Sequence, residues 1–194
     1  MGGQACVLYG AAEFSRDTDI VILADPANLD RLSAALRDLD AECVAVPPFE
    51  LEYLLRGHAV HFRCHDPEAD GMRIDVMSVM RGVDPFEELW ARRTTLDHGT
   101  DDCLEVISLP DLVAAKKTQR DKDWPMIRRL VEANYVQNQD DPTSEQILFW
   151  LRESRTSEIL LDLAAAYPDE LAKLISARPL LASAESRDSD TLEA

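Results

Sequence analysis

The chain has 194 residues, 46% of them hydrophobic, which is enough to bury a real core as one domain or as a domain with a helical extension. No apolar run approaches the roughly 20 residues that span a bilayer, and the N-terminus lacks the basic region and apolar core of a secretory signal, so the expectation is a cytoplasmic globular protein with no membrane association. Against 20 Lys and Arg stand 37 Asp and Glu, a formal charge of -17 that argues against a broad nucleic-acid surface, because phosphate contacts need clustered cations.

The first stretch, Gly2 to Leu23, brings the pair Gly2-Gly3 and the spaced carboxylates Asp17 and Asp19 together. The β-branched run Ile20-Val21-Ile22 makes 17–23 a strand, on which residues two apart share a face, so the two carboxylates stand side by side. That arrangement repels itself unless a cation or proton intervenes, and hard oxygen ligands of this kind suit Mg²⁺. The plainer alternative is that both aspartates cap a turn at a strand edge. Asp25-Pro26 then starts a helix over 26–39, with Leu29, Leu32, Leu36 and Leu39 as a core stripe. A short strand over 42–46 ends at Pro47-Pro48, and 49–56 forms a short helix or turn.

The segments 59–64 and 72–79 alternate like paired strands, joined by the polar loop 65–71, and a hairpin is expected. In Arg73-Ile74-Asp75-Val76-Met77, Asp75 is a carboxylate thrust from an otherwise apolar strand; an ion pair with Arg73 or Arg63 is the structural alternative to a functional role. His58, His61, Cys64 and His65 cluster in sequence, but alternation sends His61 and Cys64 to opposite faces and no second cluster completes a tetrahedron, so a surface or pocket-rim role is expected instead of zinc. Residues 81–100 are poorly periodic, with a helix over 85–93 and a turn at Gly99; 105–108 is a short strand.

From Asp111 the chain becomes helical. Leu112, Lys116, Arg120 and Asp123 fall on one helix face, either a solvated face laced by ion pairs or a functional one. The only local basic concentration is Lys116, Lys117, Arg120, Lys122, Arg128 and Arg129. Helices are expected over 127–133, 144–153, 158–166 and 170–176, followed by a polar, frayed tail over 183–194. Cys6, Cys43, Cys64 and Cys103 are irregularly spaced and predict four free thiols, mostly buried.

A glycine pair, a short helix and an Asp-x-Asp opening a hydrophobic strand resemble the nucleotidyltransferase superfamily that includes DNA polymerase beta and bacterial toxin-type transferases. Gly2, Gly3, Ala5, Gly10, Asp17 and Asp19 match the pattern of its small bacterial members. Ser15 stands for their threonine, and Glu13 for their arginine, which reverses a charge beside the site. A hydrophobic strand normally precedes the glycine pair in that family; here either the start lies upstream of Met1 or the sheet has one strand fewer. The resemblance implies that Gly2, Gly3 and Ser15 hold the triphosphate of an NTP, that Asp17, Asp19 and Asp75 bind one or two magnesium ions, and that Asp75 takes the proton from the attacking hydroxyl. It further implies that Lys116, or alternatively Lys117, contacts phosphate.

These readings predict an α+β fold with a nucleotidyltransferase-like mixed sheet over 1–108, a helical region over 109–182 and a tail over 183–194. The expected function is Mg²⁺-dependent transfer of an NMP group from an NTP to a hydroxyl on a small molecule or an RNA end. Extended duplex is not an expected partner. The alternative is a non-catalytic protein of the same fold that binds a protein partner, for example in a toxin–antitoxin pair.

Overall fold

The structure is a computed structural model and describes residues 1–44, 46–97, 99, 103–117 and 123–186. It is an α+β fold whose chain divides into two compact units, Met1–Asp123 and Trp124–Ala194. The helix that begins at Leu109 therefore belongs to the first unit, whereas the sequence reading places it with the C-terminal helices. Among the described residues no helix is long and apolar enough to cross a membrane.

The first unit opens with helix α1 (Gly2–Leu8). Gly10, at φ +75°, ends it: the Gly10 N–H reaches Val7 O and the Ala11 N–H reaches Cys6 O, both at 2.9 Å, a closure that a left-handed glycine permits. Strand β1 (Asp17–Val21) follows, then helix α2 (Pro26–Asp38), whose free amides at Ala27 and Asn28 are taken by Asp25 Oδ1 at 2.9 and 3.1 Å. Strand β2 (Ala41–Cys43), helix α3 (Leu51–Leu55), and strands β3 (Val60–Cys64) and β4 (Arg73–Met77) complete a four-stranded sheet of order β1-β4-β3-β2. β4 runs antiparallel to β3, as the hairpin expectation has it, and parallel to β1. β2 is shorter than expected and stops before Val46, which is largely exposed ahead of two prolines that cannot donate to a ladder.

One face of this sheet is apolar. Val60, Phe62, Cys64, Ile74 and Val76 form a buried cluster with Leu36 of α2 and Leu54 of α3, and Leu29, Leu32 and Leu39 pack against it. The α2 stripe is thus core. After β4 come helix α4 (Phe86–Ala91) and an antiparallel pair, β5 (Thr94–Asp97) with β6 (Cys103–Val106); the strand expected over 105–108 overlaps β6, which starts two residues earlier, while β5 is absent from the sequence reading. With only four residues, two half-buried and two exposed, β5 is too short for a period of two to stand out in its sequence. Helix α5 (Leu109–Lys117) ends the described part of this unit before Asp123. Arg120 and Lys122 lie outside the described residues.

The second unit is wholly helical in its described part: α6 (Trp124–Asn138), α7 (Ser144–Glu153), α8 (Ser157–Ala166), α9 (Pro168–Leu174) and α10 (Leu181–Glu185). α6 begins earlier than expected, with Pro125 in its first turn, where the missing N–H leaves no bond unmade, and it continues to Asn138. A capping box fixes the start of α7, Thr143 and Gln146 exchanging side-chain bonds at 3.2 and 2.8 Å. The frayed tail expected from Ser183 is corrected in part: Leu181 and Ala184 are buried, and their burial carries the chain into α10. Residues 187–194 lie outside the described residues. The thiols are also corrected, since Cys6 and Cys64 are buried but Cys43 and Cys103 are exposed.

Candidate functional site

The polar face of the four-stranded sheet collects the carboxylates. Residues 17, 19 and 21 of β1 and 73, 75 and 77 of β4 alternate away from the apolar cluster, and the parallel register sets Asp17 across from Arg73 and Asp19 across from Asp75. Neighbouring strands lie about 4.8 Å apart, so Asp19 and Asp75 project side by side from adjacent strands.

Each carboxylate has a different environment. Asp17 accepts from Arg73 Nε at 2.6 Å, and the Arg73 Nη2 group is also bound to it. Asp75 is held at 2.7 Å by His61 Nδ1, the residue across from it on β3. The ion pair considered for Asp75 therefore exists with another partner: Arg73 serves Asp17, and the imidazole serves Asp75. The antiparallel hairpin contains this pairing implicitly, because 60 opposite 76 places 61 opposite 75. His61 stands half-exposed on the carboxylate face, in keeping with the surface alternative of the role expected of it, while Cys64 points to the core.

Asp19 is the most confined of the three. Burial pushes its carboxyl above the ordinary aspartate value; the Met1 amine and the Gly3 N–H act in the opposite direction, and Asp75 and Asp17 add to the rise. The glycine pair explains how Asp19 gets so close. Gly2 has φ +64°, and a Cβ built on it would meet Asp19 Oδ2 at 1.7 Å. A Cβ on Gly3 would meet Ser15 Oγ at 2.2 Å. Ser15 in turn donates to Asp17 O at 3.0 Å and fixes the entry into β1. The glycines thus seat the side chain of Asp19 in β1 and that of Ser15 just before it against the backbone of α1, and the Gly3 amide is engaged by Asp19 itself.

Lys116 is buried in α5. It donates to Cys6 Sγ, whose thiol bonds to Gly2 O at 3.2 Å and is pushed upward by burial. Its charge is felt at the Met1 nitrogen, which donates to Asp19 O at 2.7 Å. Lys116 therefore places a cation behind α1, while Lys117, the next residue, is exposed.

Two residues that the sequence reading did not use tie α5 to this unit. Ser108 and Asp111 form the first turn of α5, with the Ser108 hydroxyl donating to Asp111 Oδ2 at 2.6 Å and the Asp111 N–H reaching Ser108 Oγ at 3.2 Å. Arg92 then binds Asp111 through Nε and Nη2 at 3.1 and 2.9 Å and Asp84 at 2.8 Å. The signal was present as Ser-x-x-Asp before an apolar helical run.

Among the described residues, no group of three or more His, Cys, Asp or Glu side chains is gathered closely enough to hold a metal ion. Of the three candidate carboxylates, Asp19 and Asp75 are not bound to Arg73, and a pair of hard oxygens suits an ion that takes one or two carboxylates and fills its shell with water and phosphate. No protein-family model matches the chain, and no curated protein does.

Proposed function

We propose that the first unit is a Mg²⁺-dependent nucleotidyltransferase that moves an NMP group from an NTP to a hydroxyl acceptor. The observation that carries this reading is the register that sets Asp19 opposite Asp75 on the face where Gly2 packs against Asp19. Asp19 and Asp75 would hold magnesium, and Asp17 would join them only on leaving Arg73. When bound, the ion offsets the charge of the phosphate oxygens and of the crowded carboxylates. Asp75 accepts the proton as the acceptor oxygen bonds to the α-phosphorus and pyrophosphate departs, and the His61 bond keeps the Asp75 carboxylate oriented for it. Lys116 and Lys117 supply positive charge for the phosphates, and the resemblance in the glycine and Asp-x-Asp pattern supports the same assignment.

Calorimetric titration with ATP, CTP, GTP and UTP, with and without Mg²⁺, tests the reading. Metal-dependent binding of at least one nucleotide, lost in Asp19→Ala, is the expected result; no metal-dependent binding of any of them overturns it.

A second reading is a non-catalytic member of the same fold that binds a protein, such as one half of a toxin–antitoxin pair. Asp17 and Asp75 already have partners inside the chain, and Phe14, 70% exposed beside Ser15, is a large apolar side chain open to a partner. The same titration separates the two, since this reading requires no nucleotide.

A further inference from the structure

The two parallel strands of the sheet hand the chain on to opposite faces. α2, which follows β1, packs its leucines on the apolar face, whereas α4, which follows β4, meets Val21 on the carboxylate face through Leu89 and Trp90. Neighbouring parallel strands whose onward helices part in this way leave a crevice beyond their carboxyl ends, and that is where open α/β sheets bind ligands. Such a crevice is present here. A cleft of about 450 Å³ lies between Leu23 and Ala24 after β1, residues 78–80 after β4, Leu55 of α3 and the first turn of α4. We propose that it is a binding site for a small organic cation, a protonated amine on an apolar body. Leu23 lies four residues past Asp19, roughly 13 Å at the rise of a strand, so the site is separate from the carboxylates and does not rest on the transfer reading.

Size and lining agree with a small molecule, since ligand clefts run from about 300 to 1,000 Å³ and are mostly apolar with a few placed polar groups. Leu23, Leu55, Val79, Met80, Val83 and Phe86 supply the apolar walls. Leu55 is 61% and Val79 55% exposed, so the walls present apolar surface to water that a bound ligand would cover.

The polar groups decide the charge. The side chains of this kind in the lining are Ser78, Asp84 and Glu87. The Ser78 hydroxyl donates to Leu54 O at 2.7 Å, which leaves only its lone pairs for a ligand. Asp84 accepts from Arg92 Nη2 at 2.8 Å, and that guanidinium is shared with Asp111. Glu87, exposed in the first turn of α4, has no ion pair among the described residues. Arg56 and Arg81 adjoin lining residues in sequence, but neither lines the cleft, and Arg56 faces Glu52 at 4.0 Å. The lining side chains therefore offer acceptors and negative charge, and the ligand has to bring the donors. An ammonium group brings three N–H bonds and the charge opposite to Glu87, whereas a carboxylate or phosphate would meet like charge and no side-chain donor.

The test uses the full chain with labelled methyl groups, followed by NMR. It is titrated with tryptamine and, separately, with indole-3-propionate, which carries the same ring on the same two-carbon arm but the opposite charge. Saturable shifts of the Leu23, Leu55 and Val79 methyls with tryptamine are expected, with intermolecular Overhauser effects from the indole ring to those methyls. Indole-3-propionate should bind at least roughly tenfold more weakly, because like charge takes the place of opposite charge; this comparison needs no variant. Glu87→Gln, at an exposed position, should raise the tryptamine dissociation constant roughly fivefold, the size of an exposed ion pair. A third titration uses the basic apolar peptide acetyl-Lys-Leu-Leu-Lys-amide. If it shifts the same methyls at lower concentration than tryptamine, the cleft is a docking groove for a protein partner and the proposal fails. Absence of saturable binding, Overhauser effects confined to other residues, equal binding of the two indoles, or an unchanged constant in Glu87→Gln would each overturn it as well.

Discussion

Gly2 shows how one missing side chain shapes a site, because its Cβ would occupy the space of Asp19 Oδ2. Gly2→Ala is expected to destabilise the first unit by more than the roughly 1–2 kcal/mol of a left-handed alanine, since the clash adds to the backbone term. An Asp19→Ala background removes the Oδ2 and Cγ clashes and leaves the backbone term with a 3.0 Å contact to the Cβ of residue 19, so a double-mutant cycle by urea unfolding should return a coupling above about 1 kcal/mol; additive losses would contradict the close approach. Asp19 itself is a stability burden. Its folded carboxyl titrates above the ordinary aspartate value, so the folded state is favoured while the group is protonated and loses stability as pH rises from about 3.8 through the raised value. Asp19→Asn should therefore raise the melting temperature at pH 7, by about 1 kcal/mol in stability terms, with the gain vanishing below pH 4. An equal gain at both pH values would show that charge is not the cause. Alternation alone places Asp17 and Asp19 on one face of their strand and Asp75 with Arg73 and Met77 on one face of its own, while joining the two faces rested on the resemblance. Their partners could not be read this way, because Arg73 and His61 are assigned by register, and register depends on which strands meet.

Most elements of the first unit were legible for a local reason: Asp25 and Pro26 mark the start of α2, Gly10 marks the end of α1, and β3 and β4 alternate clearly. Only β6 of the β5–β6 pair was anticipated, since a four-residue, partly exposed strand such as β5 carries little pattern, and α10, whose order comes from tertiary burial of Leu181 and Ala184, was not anticipated either. α5 illustrates an element held by its first turn. Asp111 accepts from the Ser108 hydroxyl and from two nitrogens of Arg92, and it is largely buried. Asp111→Ala strips those bonds at once and is expected to cost about 3 kcal/mol in urea unfolding, whereas Asp111→Asn, which can still accept from Ser108, should cost less. If the two variants lose equally, the carboxylate-specific bonds to Arg92 dominate and the cap is secondary. In the second unit Glu132 plays a comparable part between α6 and α8. Although burial acts to raise its carboxyl, the bonds from Thr156 Oγ1 at 2.5 Å and Arg128 Nε at 2.7 Å bring it below the ordinary glutamate value. A depressed folded value means that its contribution is present above about pH 4.5 and is lost as pH falls through the lower value. Acid unfolding of Glu132→Gln, followed by circular dichroism, should start from lower stability at pH 7 by about 1 kcal/mol and converge on the wild type at low pH. Persistent separation at low pH would argue for a packing effect instead.

At the scale of the whole chain, composition indicated the acidity, the order of expected strands and helices together with the resemblance indicated the α+β character, and the glycine and Asp-x-Asp pattern indicated which stretch to watch. The division after Asp123 was harder to see, since α5 looks like the first of the C-terminal helices by periodicity, although Asp111, bound to Arg92, ties it to the sheet unit. The parallel pairing of β1 with β4 has a kinetic consequence. His61 and Asp75 are 14 residues apart in sequence, but Asp17 and Arg73 are 56 apart. A fourfold longer loop adds about 1.2 kcal/mol of closure entropy, at roughly 0.6 kcal/mol per doubling, so the β3–β4 hairpin should form early and β1 should dock late. Stopped-flow measurements should then show Val76→Ala slowing folding and Ile20→Ala chiefly speeding unfolding. Equal slowing by both would mean that β1 is already in place at the barrier. With β1 docking late, the repulsion between Asp19 and Asp75 is met only on the native side of the transition state. The acidic face is then the last part of the sheet to assemble and the first to come apart.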